Sequence, residues 1–130
     1  MDKRRALFFF LYLILIFYLS SIPNLKIKSV FNYQDLFFHF VEYFIFMFLA
    51  LWAFPKAQYP SILLFAQLFA FSDELHQFFV PGRTFSFLDF LADFIGAFLC
   101  LIAIIKYKEN LLGEGNKRSK NSGSQNMQSI

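Results

Sequence analysis

The chain places acidic and imidazole side chains at regular spacings inside segments that are otherwise apolar. Asp35, His39 and Glu42 follow one another at intervals of four and three residues, which puts all three on one face of an α-helix. Carboxylates beside a histidine can transfer protons, bind a cation or hydrogen-bond a polar ligand. This segment is therefore the first candidate for a functional site.

A second polar stretch, SDELHQFFVPGRTFSFLDFLAD, spans residues 72–93 and holds four of the chain's nine acidic residues. Its first half predicts a helix with Glu74 and Gln77 on one face, and its second half predicts a helix with a polar stripe that ends at Asp93. A Pro-Gly turn that carries Arg83 joins the two halves. Together, the predicted ligand-binding residues are Asp35, His39, Glu42, Glu74, Gln77, Arg83, Ser86, Asp89 and Asp93.

These polar residues belong to a chain that is too apolar for a soluble domain. Of its 130 residues, 58% are hydrophobic and 22 are Phe, and the mean hydropathy is +0.50. A soluble domain of this size cannot hide so much apolar surface from water. Apolar runs of the length that crosses a bilayer predict transmembrane helices at about 6–22, 36–54, 60–80 and 85–105.

The predicted fold class is all-α: a polytopic membrane protein with four transmembrane helices in a compact bundle. Residues 1–5 are predicted to form a basic cytoplasmic N-terminus, and residues 6–105 form the transmembrane domain. Residues 106–130 are rich in Lys, Asn, Ser and Gly. Because this segment cannot bury enough apolar area to fold alone, we predict a disordered, basic cytoplasmic tail.

The distribution of basic residues predicts the orientation. Those assigned to the cytoplasmic side are Lys3, Arg4, Arg5, Lys56, Lys106, Lys108, Lys117, Arg118 and Lys120, and those assigned to the other side are Lys26, Lys28 and Arg83. Cytoplasmic loops carry the excess of basic residues, so both termini are predicted to be cytoplasmic. The net charge of +3 therefore indicates orientation, and no nucleic-acid partner is expected.

Three carboxylates are predicted to lie at the same depth below the outer surface of the membrane. Glu42 lies about 7 residues from the outer end of its predicted helix, Glu74 about 6 and Asp93 about 8, which is roughly 9–12 Å at ~1.5 Å per residue. A charged side chain at mid-bilayer costs ~2.5–3.5 kcal/mol or more, so such groups face the bundle and find partners there. The sequence thus predicts an outward-facing polar site within the membrane, with Arg83 just above the acids.

Several of these residues also have a simpler interpretation. Ser86, followed three residues later by Asp89, resembles a helix capping box, and Asp35 can cap the second helix. His76 points away from Glu74 on the same predicted helix and is expected at the membrane interface. A glycine at 96 is expected to let two helices approach closely.

The segments DLFFHFVEYF at 35–44 and SDELHQFFVPGRTFSFLDFLADFIGAF at 72–98 resemble the VanZ-like family of small membrane proteins. The resemblance extends over about 7–105, and Leu36 stands where the family often carries Lys. It implies a multi-pass protein of the bacterial inner (cytoplasmic) membrane. It also implies a role in cell-envelope physiology, with an effect on tolerance of glycopeptides such as teicoplanin.

Three functions remain open at the level of sequence. The favoured one is binding, in contact with membrane lipids, of a lipid-linked cell-wall precursor or a lipid-bearing glycopeptide. The second is a polar seam that only holds the helices together. The third is an intramembrane hydrolase or transferase that uses His39, Glu42, Glu74 and Asp93. No HExxH pattern is present, so the sequence predicts neither a metal nor another cofactor.

Overall fold

The computed structural model of the chain describes residues 2–23 and 34–127, with side-chain surroundings up to residue 115. Its described residues form four helices: α1 (Lys3–Ser20), α2 (Gln34–Ala53), α3 (Tyr59–Phe78) and α4 (Phe87–Met127). The all-α prediction is confirmed, and each predicted segment lies on one of these helices. Lys26 and Lys28, which the orientation argument uses, lie outside the described residues.

Capping and turn residues set the helix ends. The Asp2 carboxylate accepts a hydrogen bond from the Arg4 backbone N–H at 3.0 Å, which caps α1. The Ser86 hydroxyl accepts one from the Asp89 N–H at 3.2 Å and caps α4, as its sequence pattern predicts. Gly82 has a φ of 80° in the turn between α3 and α4, a conformation that glycine adopts without steric cost.

A core of aromatic and small side chains joins the four helices. Its buried members include Phe9 and Ile16 of α1, Tyr43, Phe46 and Met47 of α2, Ala66 and Ala70 of α3, and Ala97 and Cys100 of α4. The most extensive packing is between α2 and α4. There the Cα of Gly96 lies so close to the Phe40 backbone that an added Cβ would collide with the Phe40 carbonyl oxygen. The absence of a side chain at Gly96 therefore sets the distance between these two helices.

The outer faces of all four helices are apolar. Large exposed apolar side chains include Leu7 and Phe8 on α1, Phe48 on α2, Leu64 and Leu68 on α3, and Leu99 on α4. Soluble monomers rarely expose continuous apolar surface on this scale, whereas a bilayer accommodates it. The surface is therefore typical of a membrane protein.

Two of the four helices meet a strict criterion for crossing a membrane. They are α2 and the part of α4 over Phe87–Gly115, which are long and apolar enough. The 18 residues of α1 include Lys3, Arg4 and Arg5, and α3 carries polar residues throughout its last two turns. By length and composition, two of the described helices are candidate membrane spans, and a four-span topology is part of the proposal made below.

The structure differs from the predicted end of the fourth helix. α4 continues as one helix from Phe87 to Met127, although the sequence places its end at about 105. From Lys106 to Gly115 every side chain is exposed. Lys108 Nζ donates to the Tyr59 hydroxyl of α3 at 3.1 Å, and the rest of the extension depends mainly on its backbone hydrogen bonds. Isolated helices held in that way are marginally stable in water. The disorder of residues 106–130 therefore stays a prediction.

Candidate functional site

His39 lies at the centre of a polar cluster that three helices build. Its Nδ1 is 3.0 Å from Asp93 Oδ1 on α4, and we assign the proton to Nδ1 because a carboxylate accepts. Its Nε2 is 3.9 Å from Glu74 Oε1 on α3 and 3.9 Å from Asp89 Oδ2 on α4. One imidazole from α2 therefore faces three carboxylates from the other two helices.

The Glu74 carboxylate has one oxygen with a hydrogen-bond donor and one without. Its Oε2 accepts a hydrogen bond from the Ser86 backbone N–H at 2.9 Å. Its Oε1 has no hydrogen-bond partner, although the residue is only 1% exposed. In a complete capping box the acid of α4 would accept from the Ser86 N–H. Here Glu74 of the preceding helix accepts instead, which ties α3 to the start of α4.

A second polar chain of contacts begins at Arg83. Its Nη2 and Nε donate to Gln77 Oε1 at 2.6 and 3.2 Å. Gln77 Nε2 in turn donates to Asp73 Oδ2 at 2.8 Å and to the Ser20 hydroxyl at 3.4 Å. The sequence predicts that Arg83 reaches down toward Glu42, Glu74 and Asp93. In the structure the guanidinium donates to the Gln77 amide oxygen, and its charge acts on the Glu42 carboxyl at longer range.

The other two acids of the predicted α2 face lie in different surroundings. Glu42 is half-buried, and its carboxyl lies in electrostatic range of His39 and Asp93. Its backbone carbonyl accepts a hydrogen bond from the Tyr12 hydroxyl at 2.9 Å. Asp35 is exposed in the first turn of α2. The structure therefore brings Glu42 to the edge of the cluster and leaves Asp35 outside it.

His76 lies away from the cluster. Its Nε2 is 3.0 Å from the Ser21 hydroxyl, and its ring stacks on Phe17 with 4.5 Å between the ring centroids. These contacts hold the end of α1 against α3. His76 therefore provides a matched comparison for Glu74, which lies two positions earlier on the same helix.

Two buried polar residues of this region are missing from the predicted set. Asp73 is 5% exposed and Ser20 is 4% exposed, and both hydrogen-bond Gln77. The sequence does contain a signal for Asp73, because it lies one helical turn before Gln77 and therefore shares a face with it. Ser20 gave no such signal, because its partner lies on another helix.

The cluster has the composition and the access that binding or proton transfer requires. One possible ligand atom from each of His39, Glu74 and Asp93 lies within 4.8 Å of the other two. The cluster is not sealed, because the side chains of His39 and Asp89 remain 12% and 19% exposed. Two surface cavities of about 420 and 350 Å³ lie elsewhere, between α1 and α2 and near the α2–α3 loop. The more exposed side of the cluster is at Asp89, in the first turn of α4.

Comparison with known proteins identifies the family. The family model described as VanZ/LLP1 matches residues 7–108. Comparisons with curated proteins and with solved structures give no match. The matched range includes most of α1, all of α2 and α3, the apolar part of α4 and all residues of the polar cluster. Because the match covers most of the 130 residues, this membrane protein belongs to the VanZ/LLP1 family.

Proposed function

We propose that the protein crosses the bacterial inner membrane four times, with both termini in the cytoplasm, and binds a ligand at its outward-facing polar cluster. The ligand is the polar part of a lipid-linked cell-wall precursor or of a lipid-bearing glycopeptide. Binding acts on cell-envelope physiology and on tolerance of teicoplanin. Family membership supports the membrane location, and the cluster supports the binding.

The unpartnered oxygen of Glu74 is the observation that carries this proposal. A buried acceptor without a donor costs about 1–3 kcal/mol, and Glu74 Oε1 is such an acceptor in a cluster that is open at Asp89. A purely structural seam would gain stability by pairing this atom. Amino or hydroxyl groups of a ligand would supply the missing donors. Arg83 and the start of α4 would attract a phosphate or carboxylate of the same ligand.

The four-span topology predicts where the two ends and the first loop lie. Apolar side chains cover the outer faces of α1 and α3 as fully as those of α2 and α4, and nine of the twelve basic residues fall on the proposed cytoplasmic side. A reporter that works only in the cytoplasm should be active when it is fused after Ile130. A reporter that works only outside the cytoplasm should be active when it is fused within residues 24–33. A C-terminus found outside would place the cluster on the wrong face and reject the proposal.

Deletion of the gene tests the function itself. We expect the deletion strain to become more sensitive to teicoplanin, and a plasmid copy of the wild-type chain to restore tolerance. Vancomycin, a glycopeptide without the lipid chain, distinguishes the two proposed ligands. If the deletion changes tolerance of teicoplanin alone, the ligand is the lipid-bearing antibiotic. If it changes tolerance of both antibiotics, the ligand is the lipid-linked wall precursor. Unchanged tolerance together with unchanged wall composition would count against the proposal.

An enzyme is the second candidate, and the His39–Asp93 pair favours it. A histidine oriented by a carboxylate, with Glu74 near its other ring nitrogen, is an arrangement found in general acid–base catalysis. Release of a product from a lipid-linked precursor by the purified protein would establish turnover. Binding without product would leave the binding function in place.

A further inference from the structure

We infer that His39, Glu74 and Asp89 form a binding site for a divalent transition-metal cation such as Zn²⁺. The sequence carries no zinc-binding pattern, and the three residues come from three helices. This inference goes beyond the proposed binding of an envelope ligand and does not depend on it.

The donor atoms decide the class of cation. Imidazole nitrogen suits Zn²⁺, Fe²⁺ and similar ions, whereas Mg²⁺ and Ca²⁺ prefer sites made of oxygen alone. His39 supplies one nitrogen, Nε2, and the two carboxylates that face it, Glu74 and Asp89, supply oxygens. One histidine with two carboxylates is therefore a donor set for a transition metal.

The distances between the donor atoms are close to those found between the ligands of a bound cation. Zn²⁺ lies about 2.0–2.2 Å from such atoms, so two of its ligands lie at most about 4.4 Å apart. His39 Nε2 and Glu74 Oε1 are 3.9 Å apart, within that limit. Asp89 Oδ2 is also 3.9 Å from Nε2, so a second carboxylate lies within the same limit.

The hydrogen bond between His39 and Asp93 orients the imidazole for coordination. A metal-binding histidine almost always donates its other ring N–H to a carboxylate, a carbonyl or water. Here Nδ1 donates to Asp93 Oδ1, and Nε2 faces Glu74 Oε1 and Asp89 Oδ2. Asp93 therefore acts as a positioning residue for His39, because a carboxylate bonded to the Nδ1 proton lies on the opposite side of the ring from an ion at Nε2.

Two further observations indicate a cation rather than hydrogen bonding alone. Glu74 Oε1 is buried, has no hydrogen-bond donor and points toward His39 Nε2. The three carboxylates of the cluster contact the same imidazole, while Arg83 donates to Gln77. Buried carboxylates without a matching positive charge are costly, and a divalent cation supplies that charge.

Zinc binding by the purified full-length chain tests the site. The protein, in detergent, carries a tag without histidines and is treated with a chelator before Zn²⁺ is titrated against a coloured competitor. We expect one Zn²⁺ per chain, and a higher melting temperature with Zn²⁺ because the ion binds the folded state. Co²⁺ in the same site should give visible absorption bands, a readout that a merely structural cluster would not give.

Four variants locate the site. His39→Gln and Glu74→Gln should weaken binding by more than the roughly 10–100-fold that loss of an outer-shell partner causes, and Asp93→Asn by about that range. Glu109→Gln, an exposed acid of the α4 extension, is the matched control and should bind like wild type. Glu74→Gln keeps an acceptor for the Ser86 N–H, so it remains informative even if His39→Gln fails to fold.

The outcomes separate this site from the proposed function. Absence of saturable Zn²⁺ binding by the folded wild-type protein would overturn the inference. Equal affinities in His39→Gln, Glu74→Gln and Glu109→Gln would overturn it as well, because the ion would then lie elsewhere. The purified protein can bind Zn²⁺ at this site while deletion of the gene leaves teicoplanin tolerance unchanged. That pair of results would support the metal site and reject the proposed function.

Discussion

The Gly96→Ala variant should melt well below the wild-type protein in detergent. A Cβ at this position would collide with the Phe40 carbonyl oxygen, and a backbone atom cannot rotate away as a side chain can. Overpacking of this kind costs about 1–3 kcal/mol and sometimes more. Since Phe40 follows His39 directly, moving α2 away from α4 would also separate His39 from Asp93. Thermal melting and Zn²⁺ affinity should therefore fall together.

Gly113→Ala is the control for this prediction. A Cβ at Gly113 meets nothing within 4 Å, and the position lies in the exposed part of α4. Alanine is about 0.8–1.0 kcal/mol more favourable than glycine inside a helix, so this variant should keep or raise the melting temperature. If Gly96→Ala melts at or above the wild-type temperature, α2 and α4 do not approach each other as closely as the structure shows.

The Glu74→Gln variant should fold and yet fail to restore teicoplanin tolerance in the deletion strain. Gln keeps the volume of Glu and an acceptor for the Ser86 N–H, which is the structural contact of this side chain. It removes the charge from the oxygen beside His39 Nε2. We therefore expect a melting temperature near that of the wild type together with tolerance at the level of the empty vector.

His76→Gln is the comparison for Glu74→Gln on the same helix. His76 contacts the Ser21 hydroxyl and stacks on Phe17, both away from the cluster. Gln can replace the hydrogen bond and loses the stacking, so a small loss of stability with normal tolerance is expected. A greater functional loss for His76→Gln than for Glu74→Gln would show that the functional face of α3 has been wrongly assigned.

The inward direction of His39, Glu74 and Asp93, each on its own helix, could be predicted because helical periodicity fixes which residues share a face with each of them. Residues three or four apart share a face in any helix, and the cost of exposing charge to lipid turns those faces inward. The Pro-Gly turn is short, which keeps Glu74 and Asp93 near the same end of the bundle. These elements of the site follow from general rules that act on the sequence alone.

The pairing of individual atoms could not be predicted in the same way. Arg83 and Gln77 meet because the turn at Gly82 directs the guanidinium back along α3, a detail of backbone torsion. Asp35 is exposed in the first turn of α2 although it lies one turn before His39, and spacing along the helix does not show where the neighbouring helices end. The extension of α4 beyond 105 reflects local helix formation without burial, for which apolar periodicity gives no signal.

The contact between Gly96 and Phe40 also constrains how the protein is made. Translation reaches α4 about 50 residues after Phe40, which takes roughly 3–10 s at 5–20 residues per second. During that interval α2 has α1, and later α3, as neighbours, and the Tyr12 hydroxyl can already donate to the Glu42 carbonyl. The α1–α2 hairpin is thus the first unit to assemble, and α4 closes the bundle last. Until α4 is made, His39 lacks its Asp93 partner, and the cost of exposing a polar group to lipid favours an imidazole turned toward the helices already present.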